Sequence, residues 1–295
     1  MSMSRLMCIS DIAGYLGLSW DTVKAIIKRR LRKDYASIPL KHVKRIAIDE
    51  LYLGARKKYI TLVICLESGR ILWVGDGRGG SALRGFWKRL KLSGAKIRAV
   101  GMDMSGAYAA AVRERLPHAL ITFDRFHVIK LMNKRLDELR GDLVREAIGK
   151  DAKAQIKGLR WLLLNRENNL EASAQARLQA ALELNEPLAC AYYLKERLCE
   201  LWEQADGRRA WAFMRQWCAQ AKSCGIKQLT AMAKTLLNHA KGILSYYQTH
   251  VTSGKMEGIN RKIRGILCAA YGVRDYVFFK LRLYALHEAK WSLIG

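Results

Sequence analysis

The sequence contains little proline and no long apolar run. Three prolines interrupt 295 residues, at Pro39, Pro117 and Pro187, so few positions break a helix and a helix-rich protein is predicted. No apolar stretch approaches the roughly 18 residues that a membrane-spanning helix needs, and no signal-peptide pattern opens the chain. These absences argue against a membrane or secreted protein, and we expect a soluble protein of the cytoplasm.

The cysteines form no recognisable metal or disulfide pattern. Their number is odd, no C-x-x-C pair occurs, and no pair of histidines has the spacing of a zinc site. We expect free thiols in a reducing compartment. The seven positions are Cys8, Cys65, Cys190, Cys199, Cys218, Cys224 and Cys268.

Acidic residues are outnumbered two to one by basic ones. The 26 Asp and Glu face 52 Lys and Arg, which gives a net charge of +26 and a pI near 10.0. A field of this sign attracts polyanions, and nucleic acid is the expected partner. The 51% hydrophobic fraction is typical of a globular protein, and the length predicts two or three lobes.

Residues 8–33 show two short amphipathic helical patterns separated by residues 17–19, as in a helix-turn-helix. Ser19 is placed to cap the second helix. The predicted DNA-binding residues lie on the outer face of that second helix or near its basic end, and are Trp20, Lys24, Lys28, Arg29 and Arg30. The alternative is an ordinary helical hairpin with a solvated basic end.

From residue 43 to about 148 the pattern changes to strands alternating with helices, in the order βββαβαβα. Three antiparallel strands followed by two that are reached through helices predict an α/β fold, a mixed five-stranded sheet flanked by helices, and this order resembles the ribonuclease H-like fold. The predicted strands are 43–49, 58–66, 70–74, 96–103 and 119–123, and the predicted helices are 80–92, 105–116 and a long one from about 125.

The rest of the chain is predicted to be helical. Residues 150–250 lack any strand pattern and look like an all-α insertion domain. The predicted domains are therefore a helix-turn-helix segment over 1–40, a first part of the sheet domain over 41–149, the insertion over 150–250, and C-terminal helices of the sheet domain over 251–295.

Two strands end on aspartates that have small neighbours. Asp49 ends the first strand and Asp103 ends the fourth, so adjacent strands would bring both carboxylates to one edge of the sheet. Like charges in contact repel unless a cation lies between them, and Mg²⁺ is the common partner of such oxygen ligands. Glu50 has the opposite strand parity to Asp49 and is left out of the site.

A third carboxylate, Glu257, lies on a helical pattern over 253–267. Its apolar stripe leaves Glu257, Asn260, Arg261 and Arg264 on the other face. The alternative is a surface pair between Glu257 and an arginine, worth roughly 0.3 to 0.5 kcal/mol.

Four blocks, IAIDE, AVGMDMSGAY, ITFDRFHVIKLMNKRLDE and KMEGINRKIRGILCAAYGVRDYVFFKLRL, closely resemble the DDE transposases of bacterial insertion sequences, in the ISL-three family. The resemblance implies that Asp49, Asp103 and Glu257 form a catalytic triad that holds two Mg²⁺ ions, with Mn²⁺ as a substitute. Members usually begin with a cysteine-rich zinc-binding segment, and this chain has only Cys8 there.

The resemblance also implies further roles. Asp124 and His127 look like the C/D-x-x-H motif of related transposases, where the histidine lies near the scissile phosphate; a structural Asp–His hydrogen bond is the alternative. Arg261, Lys262 and Arg264 would bind DNA phosphates beside the triad. Trp161 is a candidate for stacking on an extruded base.

The expected function is Mg²⁺-dependent cleavage at the ends of an insertion sequence and strand transfer into target DNA. The expected partners are double-stranded DNA and a second copy of the chain on that DNA, associated with the bacterial nucleoid. Two alternatives stay open: a catalytically silent DNA-binding protein derived from a transposase, and a structure-selective nuclease on the same fold.

Overall fold

The computed structural model describes residues 3, 7–54, 59–252, 254–269 and 274–288. The chain forms two compact units, the first made of Met1–Ile121 with Val251–Gly295 and the second of Thr122–His250. The first unit contains the sheet, and the second is helical apart from the end of one strand. The predicted turn at Lys57 and the start of a strand at Lys58 lie outside the described residues.

The sheet confirms the predicted α/β class. Strand β1 pairs with β2 antiparallel and with β4 parallel, and β2 pairs with β3 antiparallel. The strand order is β3-β2-β1-β4-β5, which is that of a ribonuclease H-like sheet. The strands are β1 Arg45–Tyr52, β2 Tyr59–Cys65, β3 Ile71–Asp76, β4 Ala99–Met102 and β5 Leu120–Phe123.

The predicted order of helices is also confirmed. The first unit contains α1 Ile9–Leu16, α2 Trp20–Asp34, α3 Arg84–Ser93, α4 Gly106–Arg115, α14 Gly254–Ala269 and α15 Tyr276–Ala285. The helical unit contains α5 Arg125–Glu146, α6 Lys150–Gly158, α7 Arg160–Leu164, α8 Ala172–Glu183, α9 Glu186–Leu198, α10 Gly207–Ser223, α11 Lys227–Asn238, α12 Ala240–Leu244 and α13 Tyr246–Thr249. The long helix α5 therefore groups with the helical unit, which begins at Thr122, whereas the predicted insertion begins at residue 150.

One face of the sheet packs against α14 and α15. Alternate residues of β1 and β2 lie in one buried cluster with the apolar stripe of α14. Each fully buried aliphatic side chain of this kind stabilises the fold by roughly 1.5 to 3 kcal/mol. The helix is thereby fixed over the strand that carries Asp49. The stripe consists of Met256, Ile259, Ile263 and Ile266.

The N-terminal helices form the predicted hairpin, and α15 serves as their third helix. Gly17 ends α1 in a left-handed conformation, and the Ser19 hydroxyl accepts a hydrogen bond from the Thr22 amide at the start of α2. Val23, Ile27 and Phe278 share one buried cluster with other apolar residues of the hairpin. A two-helix hairpin buries too little apolar surface alone, so the C-terminal helix completes its core.

The helical unit has a core of its own. Trp217 is fully buried, and its indole Nε1 donates to the Leu194 carbonyl oxygen at 2.8 Å. Burial lowers the pKa of Lys195, whose ammonium donates to the carbonyl oxygens of Leu163 and Asn165. Trp161, in contrast, is largely exposed.

Two further predictions from composition can be compared with the structure. All seven cysteines are free thiols, as predicted. Among the described helices, none combines the length and the apolar character required to cross a membrane.

Candidate active site

The two aspartates predicted at the sheet edge lie on neighbouring strands. In the parallel pair of β1 and β4, Ala47 is opposite Gly101, and Asp49 and Asp103 each lie two residues beyond that pair. Strand β4 ends at Met102, directly before Asp103, but β1 continues past Asp49 to Tyr52, so the prediction that the first strand ends at Asp49 is wrong. The antiparallel partner β2 extends β1, whereas the parallel pairing with β4 stops at Ala47 and Gly101, and both carboxylates follow that point. The prediction that these two strands are adjacent is confirmed.

Short backbone hydrogen bonds orient each aspartate. Asp49 Oδ1 accepts from the Glu50 amide at 2.8 Å, and Asp103 Oδ1 accepts from the Ser105 amide at 3.0 Å. Both side chains are half-buried. A carboxylate has about four acceptor positions, so each aspartate keeps room for further ligands.

A glycine allows β4 to pack closely under its neighbours. A Cβ atom on Gly101 would lie 2.7 Å from Cγ1 of Val251 and 3.7 Å from Cβ of Ala47. Real Cβ atoms essentially never approach another atom so closely, and the branched valine has little freedom to move. Ala47 and Gly101, the small residues two positions before Asp49 and Asp103, are thus explained by the close packing at this point.

Glu50 faces the other side of the sheet, as its parity predicts. Its Oε1 accepts a hydrogen bond from the Tyr108 hydroxyl at 2.8 Å. That hydroxyl also accepts from the Gly79 amide at 2.9 Å and lies 2.8 Å from the hydroxyl of Thr61. Burial raises the pKa of Tyr108 far above its ordinary value, with Glu50 adding to the shift. The network joins α4 to β1 and β2, and it gives Glu50 a structural role.

Glu257 lies in the first turn of α14. The same helix carries Asn260, whose side-chain amide reaches Asp49. Asn260 Nδ2 donates to Asp49 Oδ2 at 2.7 Å. Glu257 is one helical turn earlier, is more than half exposed, and pairs with Arg261 at 3.3 Å. Throughout the described residues, no group of three or more His, Cys, Asp or Glu side chains is arranged to hold a metal ion. The structure thus places Asp49 and Asp103 on neighbouring strands. Glu257, the third member of the predicted triad, lies on the helix whose Asn260 binds Asp49.

The predicted DNA-binding residues fall into two sets. Arg261, Lys262 and Arg264 are exposed on α14. On α2, Trp20, Arg29 and Arg30 are exposed, and Arg30 pairs with Asp34 at 2.9 Å.

Lys24 and Lys28 have a different environment from the rest of α2. Both ammonium groups bind Oδ2 of Asp275, at 3.2 Å and 2.7 Å, and both side chains are about three-quarters buried. Asp275 also caps α15, because its Oδ1 accepts from the Phe278 amide at 2.9 Å. These two lysines therefore join the hairpin to α15, and their contact with DNA stays a prediction.

The Asp124–His127 motif opens the long helix α5. The Asp124 carboxylate caps that helix by accepting from the Phe126 amide at 3.1 Å. His127 Nε2 lies 3.9 Å from Asp124 Oδ2, which is ion-pair distance if the ring is protonated and too long for a hydrogen bond. The structure thus assigns Asp124 a capping role, and the auxiliary role of both residues stays a prediction.

Sequence reasoning assigned no role to three residues that hold predicted site residues in place. Asn260 was placed on the Glu257 face by helical spacing, but nothing in the pattern indicated that it reaches Asp49. Tyr108 and Asp275 gave no sequence signal, because their partners are distant along the chain and become neighbours only in the fold.

The sequence model of the ISL3 (ISL-three) family of DDE transposases, described as a transposase, matches residues 46–283. The chain belongs to this family. Its curated relatives include other transposases of insertion sequences. The transposase for insertion sequence element IS1001 of Bordetella parapertussis is 33% identical over 283 residues, which cover 94% of this chain and 69% of that relative.

More distant relatives agree with the family assignment. The transposases for insertion sequence element IS1557 of two Mycobacterium tuberculosis strains are 26% identical over 284 residues, covering 88% of this chain and 63% of theirs. Among solved structures, the Drosophila P element transposase strand transfer complex matches with a TM-score of 0.41 and 11% identity, over 90% of this chain and 82% of that chain.

Proposed function

We propose that this protein is the transposase of a bacterial insertion sequence, and that it cleaves DNA at the ends of its element and joins those ends to target DNA. The observation that carries the proposal is the pair Asp49 and Asp103 at one edge of a ribonuclease H-like sheet. Family membership supplies the reaction class, since the matched region includes both aspartates and Glu257.

The donor set fits a hard divalent cation. Asp49 and Asp103 offer oxygen atoms with acceptor positions left open by their backbone hydrogen bonds, and oxygen is the donor that Mg²⁺ prefers. Asp49, Asp103 and Glu257 would hold the ions, with Mn²⁺ able to replace Mg²⁺. Bound divalent ions stabilise the charge that develops on the oxygens of a phosphodiester during displacement.

The protein's own residues bind and orient the DNA. Arg261, Lys262 and Arg264 are exposed on the helix that carries Glu257, where they neutralise phosphate charge beside the reacting bond. Trp20, Arg29 and Arg30 offer a second DNA contact on α2. Because an element has two ends, we expect the protein to act as a dimer or larger assembly on DNA.

The test uses a supercoiled plasmid that carries the DNA flanking this gene on both sides, incubated with Mg²⁺. The unchanged protein is expected to nick or linearise the plasmid at the element ends. Asp49→Asn, Asp103→Asn and Glu257→Gln should each abolish cleavage while leaving DNA binding in a mobility-shift assay intact. Full cleavage by all three variants would disprove the proposal.

One observation favours a second function, that of a catalytically silent DNA-binding protein. Glu257 is exposed and paired with Arg261, and among the described residues no three carboxylates are grouped to hold a metal ion. Such a protein would bind the same DNA tightly and show no cleavage with either Mg²⁺ or Mn²⁺. A nuclease that cuts branched DNA regardless of terminal sequence would be recognised in the same assay by using branched and linear substrates.

A further inference from the structure

We propose that Asn260 is a positioning residue for Asp49 and that its amide holds the carboxylate in its cation-binding orientation. This inference rests on the proposed function, because it concerns the same carboxylate site. It starts from one contact between residues 211 positions apart in the chain, the 2.7 Å hydrogen bond from Asn260 Nδ2 to Asp49 Oδ2.

The orientation of the Asn260 amide follows from chemistry. Turning the amide around would place Oδ1 against the carboxylate oxygen, where two acceptors repel each other. Nδ2 therefore faces Asp49, and Oδ1 points away from it. Asp49 in turn receives two donors, the Glu50 amide on Oδ1 and Asn260 on Oδ2, so one donor fixes each oxygen.

The carbonyl oxygen of the Asn260 amide, Oδ1, argues against a purely structural role for this side chain. Its Oδ1 is buried and has no hydrogen-bond partner among the described residues. A buried acceptor without a partner destabilises the fold, and a side chain retained for stability alone would be expected to satisfy both ends. Asn260 instead makes one side-chain hydrogen bond in the described structure, and that bond is to the carboxylate of the site.

The packing of α14 against the sheet fixes the position from which the Asn260 side chain extends. Ile259 and Ile263, which flank Asn260 on α14, are buried in the cluster that covers β1 and β2. The backbone of Asn260 is thus anchored to the same sheet that carries Asp49. Groups that hydrogen-bond a metal-binding carboxylate typically account for 10- to 100-fold in metal affinity.

The test measures Mn²⁺ binding to the full chain without DNA, from the electron paramagnetic resonance signal of free Mn²⁺. Asn260→Ala removes the donor and should weaken Mn²⁺ binding by about 10-fold or more. Asn260→Gln keeps an amide donor on a longer side chain, so it should lose less affinity for Mn²⁺ than Asn260→Ala. A loss in Asn260→Ala that the retained donor partly restores is the expected signature.

A matched control is Asn168→Ala, which alters an exposed asparagine of the helical unit and should leave Mn²⁺ binding unchanged. Circular dichroism and thermal unfolding establish that each variant folds. If Asn260→Ala does not fold, Asn260→Leu, which has a similar shape and no donor, takes its place and should weaken Mn²⁺ binding by the same factor. A Mn²⁺ affinity that stays within about 2-fold of the original in the donor-free variant, or that falls equally in the donor-free variant and in Asn260→Gln, would overturn the inference.

Asp49→Asn separates this inference from the proposed function. If that variant still binds Mn²⁺ normally, the proposed carboxylate site itself is wrong. If Asp49→Asn abolishes Mn²⁺ binding while neither Asn260 variant changes it, the site stands and only the role of Asn260 is refuted.

Discussion

Asp49 and Glu50 are chemically similar neighbours on one strand, yet they have different surroundings on the two faces of the sheet. Asp49 faces α14, where one amide side chain reaches it and acceptor positions stay open. Glu50 faces α4, where it is bound into the hydrogen-bond network of Tyr108. The alternation of a β-strand thus separates a carboxylate available for ligands from one engaged in structure.

The largest effect on cleavage should come from neutralising the carboxylate on the α14 face, compared with neutralising its neighbour on the α4 face. Asp49→Asn should reduce cleavage of element-end DNA by more than about 100-fold, because even groups behind metal ligands account for 10- to 100-fold. Glu50→Gln should retain cleavage to within a small factor, since it keeps a side chain of similar shape in the Tyr108 network. Initial rates of plasmid nicking measure both, and equal losses in the two variants would contradict the division between the faces.

On the α4 face, Tyr108→Phe removes the hydroxyl that joins Glu50, Thr61 and the Gly79 amide. Leaving such buried groups without a partner should lower the free energy of unfolding by about 1 to 3 kcal/mol. Urea denaturation measures this change, and Tyr15→Phe, at an exposed tyrosine, provides the control. An unchanged midpoint for Tyr108→Phe would show that the network does not stabilise the sheet.

On the α14 face, Gly101→Ala places a Cβ against Val251, and overpacking of this kind costs roughly 1 to 3 kcal/mol. We expect a lower unfolding temperature. Gly106→Ala is the matched control, because a Cβ there meets no atom within 4 Å and alanine favours the helix. Equal unfolding temperatures for the two variants would contradict the tight packing beneath the two aspartates.

Asp275 is a third carboxylate for comparison. Its replacement should have the smallest effect, a change in how stability depends on pH. Partial burial alone would raise its pKa, but hydrogen bonds from Lys28, the Phe278 amide and Lys24 outweigh burial and lower the pKa to about 2. Because the folded pKa lies below the ordinary value of 3.8, this carboxylate stabilises the fold above that pH and loses its contribution as the pH falls toward 2.

The difference in unfolding free energy between about pH 6 and about pH 3 should therefore be smaller in Asp275→Asn than in the unchanged protein. Denaturant titration at the two pH values measures it. Asp21→Asn, at an exposed aspartate of α2, serves as the control and should retain the original difference. Identical pH dependence in all three proteins would mean that the Asp275 contacts add nothing to stability.

Much of the fold and part of the site could be predicted from the sequence. Local periodicity predicted the strands around Asp49 and Asp103, the helix of Glu257 and the hairpin of α1 and α2, because alternation and helical spacing are written into neighbouring residues. Parity separated Asp49 from Glu50 for the same reason. The structure confirmed these elements and the adjacency of the two aspartate strands, but β1 runs past its predicted end at Asp49 to Tyr52 because it pairs with β2 there.

Only the tertiary structure determined the partners of these residues. The contacts of Asn260 with Asp49, of Tyr108 with Glu50, and of Asp275 with Lys24 and Lys28 join residues that are 58 to 251 positions apart. No local pattern encodes such a pair, because each depends on how sheet and helices pack. The sequence by itself determined the elements, their faces and the family, whereas tertiary packing decided which carboxylate is held open and which is bound into the structure.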